Sequence, residues 1–130
     1  MSNSSNVRNE IESIVRYVYV NILKSNISSD TLNSWVNRLT SKQVTLYDFL
    51  FTVISPNINS LSISTLIQNL YIGILGKDIS MTKNSELVAV FNNELRKYGN
   101  KKRALRKVLL SFVGDASLKK YCKRLGINAK

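Results

Sequence analysis

A chain of 130 residues with a hydrophobic fraction of 44% can bury the core of one domain, or of two very small units, and is not disordered over most of its length. No apolar run approaches the roughly 20 residues of a membrane span, the lone Cys122 excludes an internal disulfide, and the absence of His removes the usual general base, zinc ligand and nucleophile partner. The formal charge of +11 is lopsided: residues 1–95 carry seven Lys/Arg against seven Asp/Glu, whereas residues 96–130 carry twelve against the single Asp115.

The start, Met1-Ser2-Asn3-Ser4-Ser5-Asn6, lacks the basic-then-apolar pattern of a secretory signal. Residues 1–9 read as a flexible polar start. Ile11, Ile14, Val15, Val18 and Ile22 then recur at steps of three and four, predicting a helix that ends near Lys24. Tyr17-Val18-Tyr19-Val20 alternates like a strand, but the longer period overrides it. Ser28-Ser29-Asp30 offers an N-cap for a second helix carrying Leu32, Trp35, Val36 and Leu39. Thr45 with Asp48 resembles a capping box, Asp standing for the usual Glu or Gln, ahead of Leu46, Phe49, Leu50 and Val53. Ser55-Pro56-Asn57 breaks the chain, because proline disfavours helix in the residue before it.

The second half restarts with Ser62 or Ser64 as cap, followed by Leu66, Ile67, Leu70, Tyr71, Ile74 and Leu75. Gly76 stands where a left-handed C-terminal cap belongs. Asn84 or Ser85 is expected to open a fifth helix through Leu87, Val88, Phe91 and Leu95, closed near Gly99. A sixth runs from about Asn100 through Ala104, Leu105, Val108, Leu109 and Phe112 to Gly114. Asp115 caps a last helix with Leu118, Tyr121, Cys122 and Leu125, ended by Gly126. The expected fold is therefore all-α, a compact bundle of six or seven short helices. Its expected core is Leu23, Trp35, Leu39, Phe49, Leu50, Leu70, Leu75, Phe91, Leu95, Leu105 and Leu109.

The halves also echo one another. Tyr19 through Ser28 reads against Tyr71 through Ser80, Trp35 to Leu39 against Phe91 to Leu95, and Leu46, Phe49, Leu50, Val53 against Leu105, Val108, Leu109, Phe112. Either a three-helix unit is duplicated, or amphipathic helices simply align apolar to apolar. The first reading divides the chain into repeats at 10–56 and 57–114, with a basic helix and tail at 115–130.

Tyr19, Ile22-Leu23, Leu32 and Trp35-Val36-Asn37-Arg38-Leu39, before a capped helix with Phe49, resemble a bacterial repeat, domain of unknown function 4214, and the similar phycobilisome linker repeat. That pattern reads Leu-Tyr, two residues, Leu-Leu-Gly-Arg, then Asp and Gly-Leu, then Tyr-Trp and Leu. The second copy keeps Leu70-Tyr71, Ile74-Leu75 and Gly76-Lys77 but has Phe91 in place of Trp. The first keeps Trp35 and has Lys24-Ser25 for Gly-Arg and Thr31 for Gly. The resemblance covers about two thirds of the chain and implies helical interaction modules of larger assemblies, with no catalytic residue to carry over. The basic end lies outside the pattern.

That basic end is the candidate site. Arg96, Lys97, Lys101, Lys102, Arg103, Arg106 and Lys107 cluster around the start of the sixth predicted helix, and Lys119, Lys120, Lys123 and Arg124 on the last. With only Asp115 among them, these charges repel, and a polyanion relieves the repulsion. Nucleic acid is the leading partner, through its phosphates. An acidic protein surface within a large assembly, such as a virion or scaffold, is the other, and a merely solvated face is the plain alternative. Tyr98 and Tyr121 lie among the cations, where aromatics stack on bases, although Tyr121 shares the face of Leu118 and Leu125. Cys122 reads as a small buried hydrophobe more readily than as a thiol activated by lysines.

Nothing points to catalysis. Glu10 and Glu12, two apart, diverge on a helix. Gly73…Gly76-Lys77 lacks the first glycine and the Ser/Thr of a phosphate loop. No metal-ligand set is present and no cofactor is expected. The expectation is a non-enzymatic structural or binding protein, intracellular (cytoplasmic or virion-associated), as a homo-oligomer or within a larger assembly.

Overall fold

The computed structural model describes residues 3–130, and among the described residues the regular structure is helical throughout. Helix α1 spans Asn3–Tyr17 and continues as a π turn, Val18–Ile22; α2 spans Ser29–Thr40. Helix α3, Leu46–Ile54, passes into a 3-10 turn at Ser55–Ser60. Helix α4, Ile63–Leu70, ends in a second π turn, Tyr71–Leu75; then come α5, Met81–Tyr98, α6, Lys101–Val113, and α7, Ala116–Leu125. The all-α bundle expected from periodicity is thus the observed fold.

Local chemistry sets these boundaries. Ser28, Ser62, Ser80, Asn100 and Asp115 each accept a backbone N–H of the helix they cap. At α3 both halves of the capping box are made: Asp48 N–H donates to Thr45 Oγ1 at 3.0 Å, and Thr45 N–H to the Asp48 carboxylate at 2.9 Å. Gly76, Gly99 and Gly126 close their helices at φ of 67°, 64° and 74°.

Several expectations need correcting. Helix α1 reaches back to Asn3, into the stretch read as flexible; Val7 packs on the core and Arg8 pairs with Glu12 at 3.5 Å, while Met1 and Ser2 lie outside the described residues. Helix α5 opens at Ser80 rather than at Asn84 or Ser85. Asn84 is buried one turn in, where its Oδ1 accepts from Ser64 Oγ at 2.8 Å and its Nδ2 donates to the Ser64 carbonyl at 3.1 Å. Gly114 does close α6 as expected, with a right-handed backbone at φ −83°. Leu23, Leu75 and Leu95 are only half-buried. Leu23 comes directly after one π turn and Leu75 ends the other; one extra residue in a turn rotates the next side chains by about 100° off the apolar stripe.

The core runs unbroken through the bundle. Helix α5 packs most extensively on α6, α1 lies on α2 and α7, α3 on α6, and α4 on α5. Phe49 and Phe112 are among its largest fully buried side chains. Trp35 meets Phe49 edge-on with centroids 4.9 Å apart, and its indole N–H donates to the Tyr19 hydroxyl at 3.2 Å. An aromatic pair of this kind adds about 1 kcal/mol beyond the area it buries. Tyr71 meets Phe112 in the same way at 5.1 Å.

Local features also recur along the chain. Each π turn leads to a left-handed residue, Lys24 at φ 55° and Gly76 at φ 67°, and then to a capping serine, Ser28 and Ser80. Both pairs are separated by the same 52 residues.

One long-range contact positions the site. The chain after α7 returns to α3, where Leu46 N–H donates to the Asn128 carbonyl at 2.8 Å and Tyr47 N–H to that of Ala129 at 2.9 Å. Two orphan donors of the α3 first turn are thereby satisfied. Ile127, within this strap, is buried.

Candidate polyanion interface

All eleven cations singled out from sequence are exposed, from Arg96 at the end of α5 to Arg124 at the end of α7. Their helices dictate this. On α6 the core takes Ala104, Leu105, Val108, Leu109 and Phe112, which leaves Lys101, Lys102, Arg103, Arg106 and Lys107 outside. On α7 the core takes Leu118, Cys122 and Leu125, leaving Lys119, Lys120, Lys123 and Arg124 on the opposite face.

Two of the eleven have a carboxylate partner. Arg103 Nε sits 3.0 Å from Glu94 Oε1, with its guanidinium 3.6 Å from the Tyr98 ring centroid. Arg124 grips Glu10 with both nitrogens, at 2.9 and 3.2 Å, and so ties α7 to α1. Tyr121 donates to the same carboxylate at 3.1 Å, which together with its half-buried ring makes it a packing residue. The hydrogen bond from Arg124 holds the Glu10 carboxyl below its ordinary pKa.

The other nine have no carboxylate partner among the described residues. Arg96 donates to Asn93, Lys101 to Asn59 at 3.0 Å, and Arg106 stands beside Tyr47, whose pKa is raised by burial and drawn down by that guanidinium. Lys101, Lys102 and Arg103 occupy the first turn of α6, which has no acidic residue. That end of a helix carries partial positive charge and exposed N–H groups, so each cation there is disfavoured by about 0.3–1 kcal/mol at low salt. An anion docking at this end would reverse the sign of that interaction.

The cations do not form a single patch. Arg103, Arg106 and Lys107 share a hollow of about 280 Å³ with Glu94. Lys120 and Arg124 border a wider groove of about 590 Å³ over Leu75 and Tyr121, together with Lys77. Lys119 and Lys123 line a third, of about 330 Å³, with Lys42 and Lys130. Arg96, Lys97, Lys101 and Lys102 stand on the open surface. Lys42 and Lys77 come from the electroneutral part of the chain, outside the basic clusters read from sequence. Lys130 belongs to the basic third but sits beyond the last periodic segment.

Of the remaining candidates, Trp35 and Cys122 resolve as packing. Trp35 is buried, with Arg38 over its ring at 4.0 Å. Cys122 is buried and its thiol is pushed up to about 11 by burial. Tyr98 is half-exposed, one ring contact being taken by Arg103. Among the described residues no group of three or more His, Cys, Asp and Glu is placed to hold a metal ion, and no helix is long and apolar enough to cross a membrane. No family model matches the chain, and neither a curated protein nor a solved structure does.

Proposed function

We propose that this is a non-enzymatic binding protein whose basic third, residues 96–130, engages a polyanion, and that the polyanion is nucleic acid. One observation carries the reading: nine of the eleven cations on α5, α6 and α7 are exposed without a carboxylate partner among the described residues. Surface lysines in most domains are interspersed with acids; here the repulsion is left for a partner to relieve. A phosphate backbone matches that need, because neutralising several phosphates releases condensed counterions. Contacts spread over three hollows and two helix ends suit a flexible or extended backbone better than base-specific reading in one groove. An electrophoretic mobility shift with duplex and single-stranded oligonucleotides at about 50 mM salt tests it. Absence of any shifted species would overturn the nucleic-acid reading.

The second reading is an interaction module of a larger assembly, such as a virion or scaffold, docking its basic end on an acidic protein surface. The matched pairs Lys24/Gly76 and Ser28/Ser80 favour it, since a π turn followed by a left-handed residue and then a capping serine at equal spacing supports a duplicated helical unit like the repeat the sequence resembles. On this reading the oligonucleotides leave the protein unshifted, and poly-glutamate retards it instead.

A further inference from the structure

The hollow at the end of α7 differs from the other basic hollows in its lining. Lys42, Lys119, Lys123 and Lys130 surround it, and no acidic side chain lines it. By contrast Glu94 lies in the α6 hollow and Arg124 in the wide groove is already held by Glu10. None of the four lysines makes a hydrogen bond or ion pair with another side chain among the described residues. The Asn128 and Ala129 carbonyls, acceptors on the same wall, are occupied by N–H groups of α3.

The chain brings these lysines together by a specific route. Lys42 comes after α2 in a left-handed conformation at φ 65°, three residues before the α3 cap. The strap from Gly126 to Ala129 is fastened to the first turn of α3, which sets the end of α7 beside Lys42. A left-handed position after a helix favours glycine, and a lysine there is mildly strained. Four lysines lining one hollow are like charges that repel at low salt, and each carries a mobile, strongly hydrated donor suited to a compact oxyanion.

We infer that this four-lysine cup is a phosphate-binding site, formed by Lys42, Lys119, Lys123 and Lys130. The phosphate comes either from a nucleic-acid backbone or from a free polyphosphate. The first source deepens the polyanion reading above and rests on it; the second does not.

The test is a titration with inorganic tripolyphosphate monitored by amide chemical shifts, on the wild type, Lys42→Gly, the Lys119→Gln/Lys123→Gln double variant, and an Arg16→Gln/Lys83→Gln control, two exposed cations outside the basic third. Tripolyphosphate should shift amides at residues 42 and 126–129. Lys42→Gly and the Lys119/Lys123 pair should each weaken it about tenfold or more, the scale of a lost charge-assisted contact, while the control stays within about twofold. Lys42→Gly should melt no lower than the wild type, since glycine relieves the left-handed strain, so its loss of binding is not loss of fold. Unshifted cup amides, or cup variants that bind like the wild type, would overturn the inference. Fluorescence anisotropy with a duplex and a single strand separates the sources. Weakened binding in Lys42→Gly assigns the cup to the nucleic-acid backbone, and unchanged binding assigns it to free polyphosphate. A wild type that binds duplex but not tripolyphosphate sinks the cup and leaves the broader reading standing. One that binds tripolyphosphate in the cup but no oligonucleotide does the reverse.

Discussion

The ring of Tyr17 lies so close to the backbone of Gly73 that a Cβ at residue 73 would fall 1.9 Å from Tyr17 Cε1. This contact joins the end of α1 to the second π turn and explains the one glycine that closes no helix. Gly73→Ala should therefore destabilise by about 1–3 kcal/mol through overpacking. Pairing it with Tyr17→Ala should recover part of the loss, because the two changes are coupled. Urea denaturation of the four species measures both, and an additive double variant would show that the contact does not matter.

Trp35→Ala should cost about 3–5 kcal/mol, since the ring is buried against Phe49. Trp35→Phe should cost less, keeping an aromatic edge while losing the hydrogen bond to Tyr19. A Trp35→Ala loss below about 1 kcal/mol in chemical denaturation would mark the ring as a binding surface instead.

Much of this fold was legible because caps and stripes are local signals. Ser28, the Thr45–Asp48 box and Asp115 cap as expected, Gly76 adopts the left-handed end its position implied, and Gly99 and Gly126 close their helices where expected. Asn84 misled because a side chain suited to capping is instead spent on a buried bond to Ser64, a long-range partner no spacing reveals. Leu23 and Leu75 misled because a π turn breaks the period used to read them. For the site, the cations and their exposure were visible in the α6 and α7 stripes. Their separation into hollows was not, nor was the arrival of Lys42, which depends on backbone carbonyls at Asn128 and Ala129 that carry no side-chain signature.

Stability should also register the Glu10–Arg124 tie through pH. The pair holds the Glu10 pKa below its ordinary value of 4.5, chiefly by the guanidinium hydrogen bond. Its contribution is therefore complete above that ordinary value and is lost as pH falls through the lower folded value. Glu10→Gln should melt slightly below the wild type at pH 7, the difference being small because both groups are well exposed. The two melting curves should converge in acid. A gap that widens as pH falls would contradict this assignment.

Lys102 offers a test in which stability and binding part company. It occupies the first turn of α6, is exposed, and has no acidic neighbour in that turn. Lys102→Glu should raise stability by about 0.5 kcal/mol at low salt by complementing the helix dipole. It should also weaken nucleic-acid binding, because an anion now stands where phosphate would approach. Thermal melts and anisotropy on one preparation measure both, and a variant that is stabilised with unchanged affinity would exclude the α6 start from the interface.

The most direct measurement is the slope of log affinity against log salt for a duplex, on the wild type and on a variant with Lys101, Lys102, Arg106 and Lys107 changed to Gln. These four side chains are exposed on α6, so the variant should fold as the wild type does. The wild type should bind with a steep negative slope, and the variant's slope should flatten by roughly one unit for each phosphate contact removed, similarly for unrelated sequences. A salt-independent affinity, or a slope unchanged by removal of four charges, would contradict a polyanion interface on the basic third.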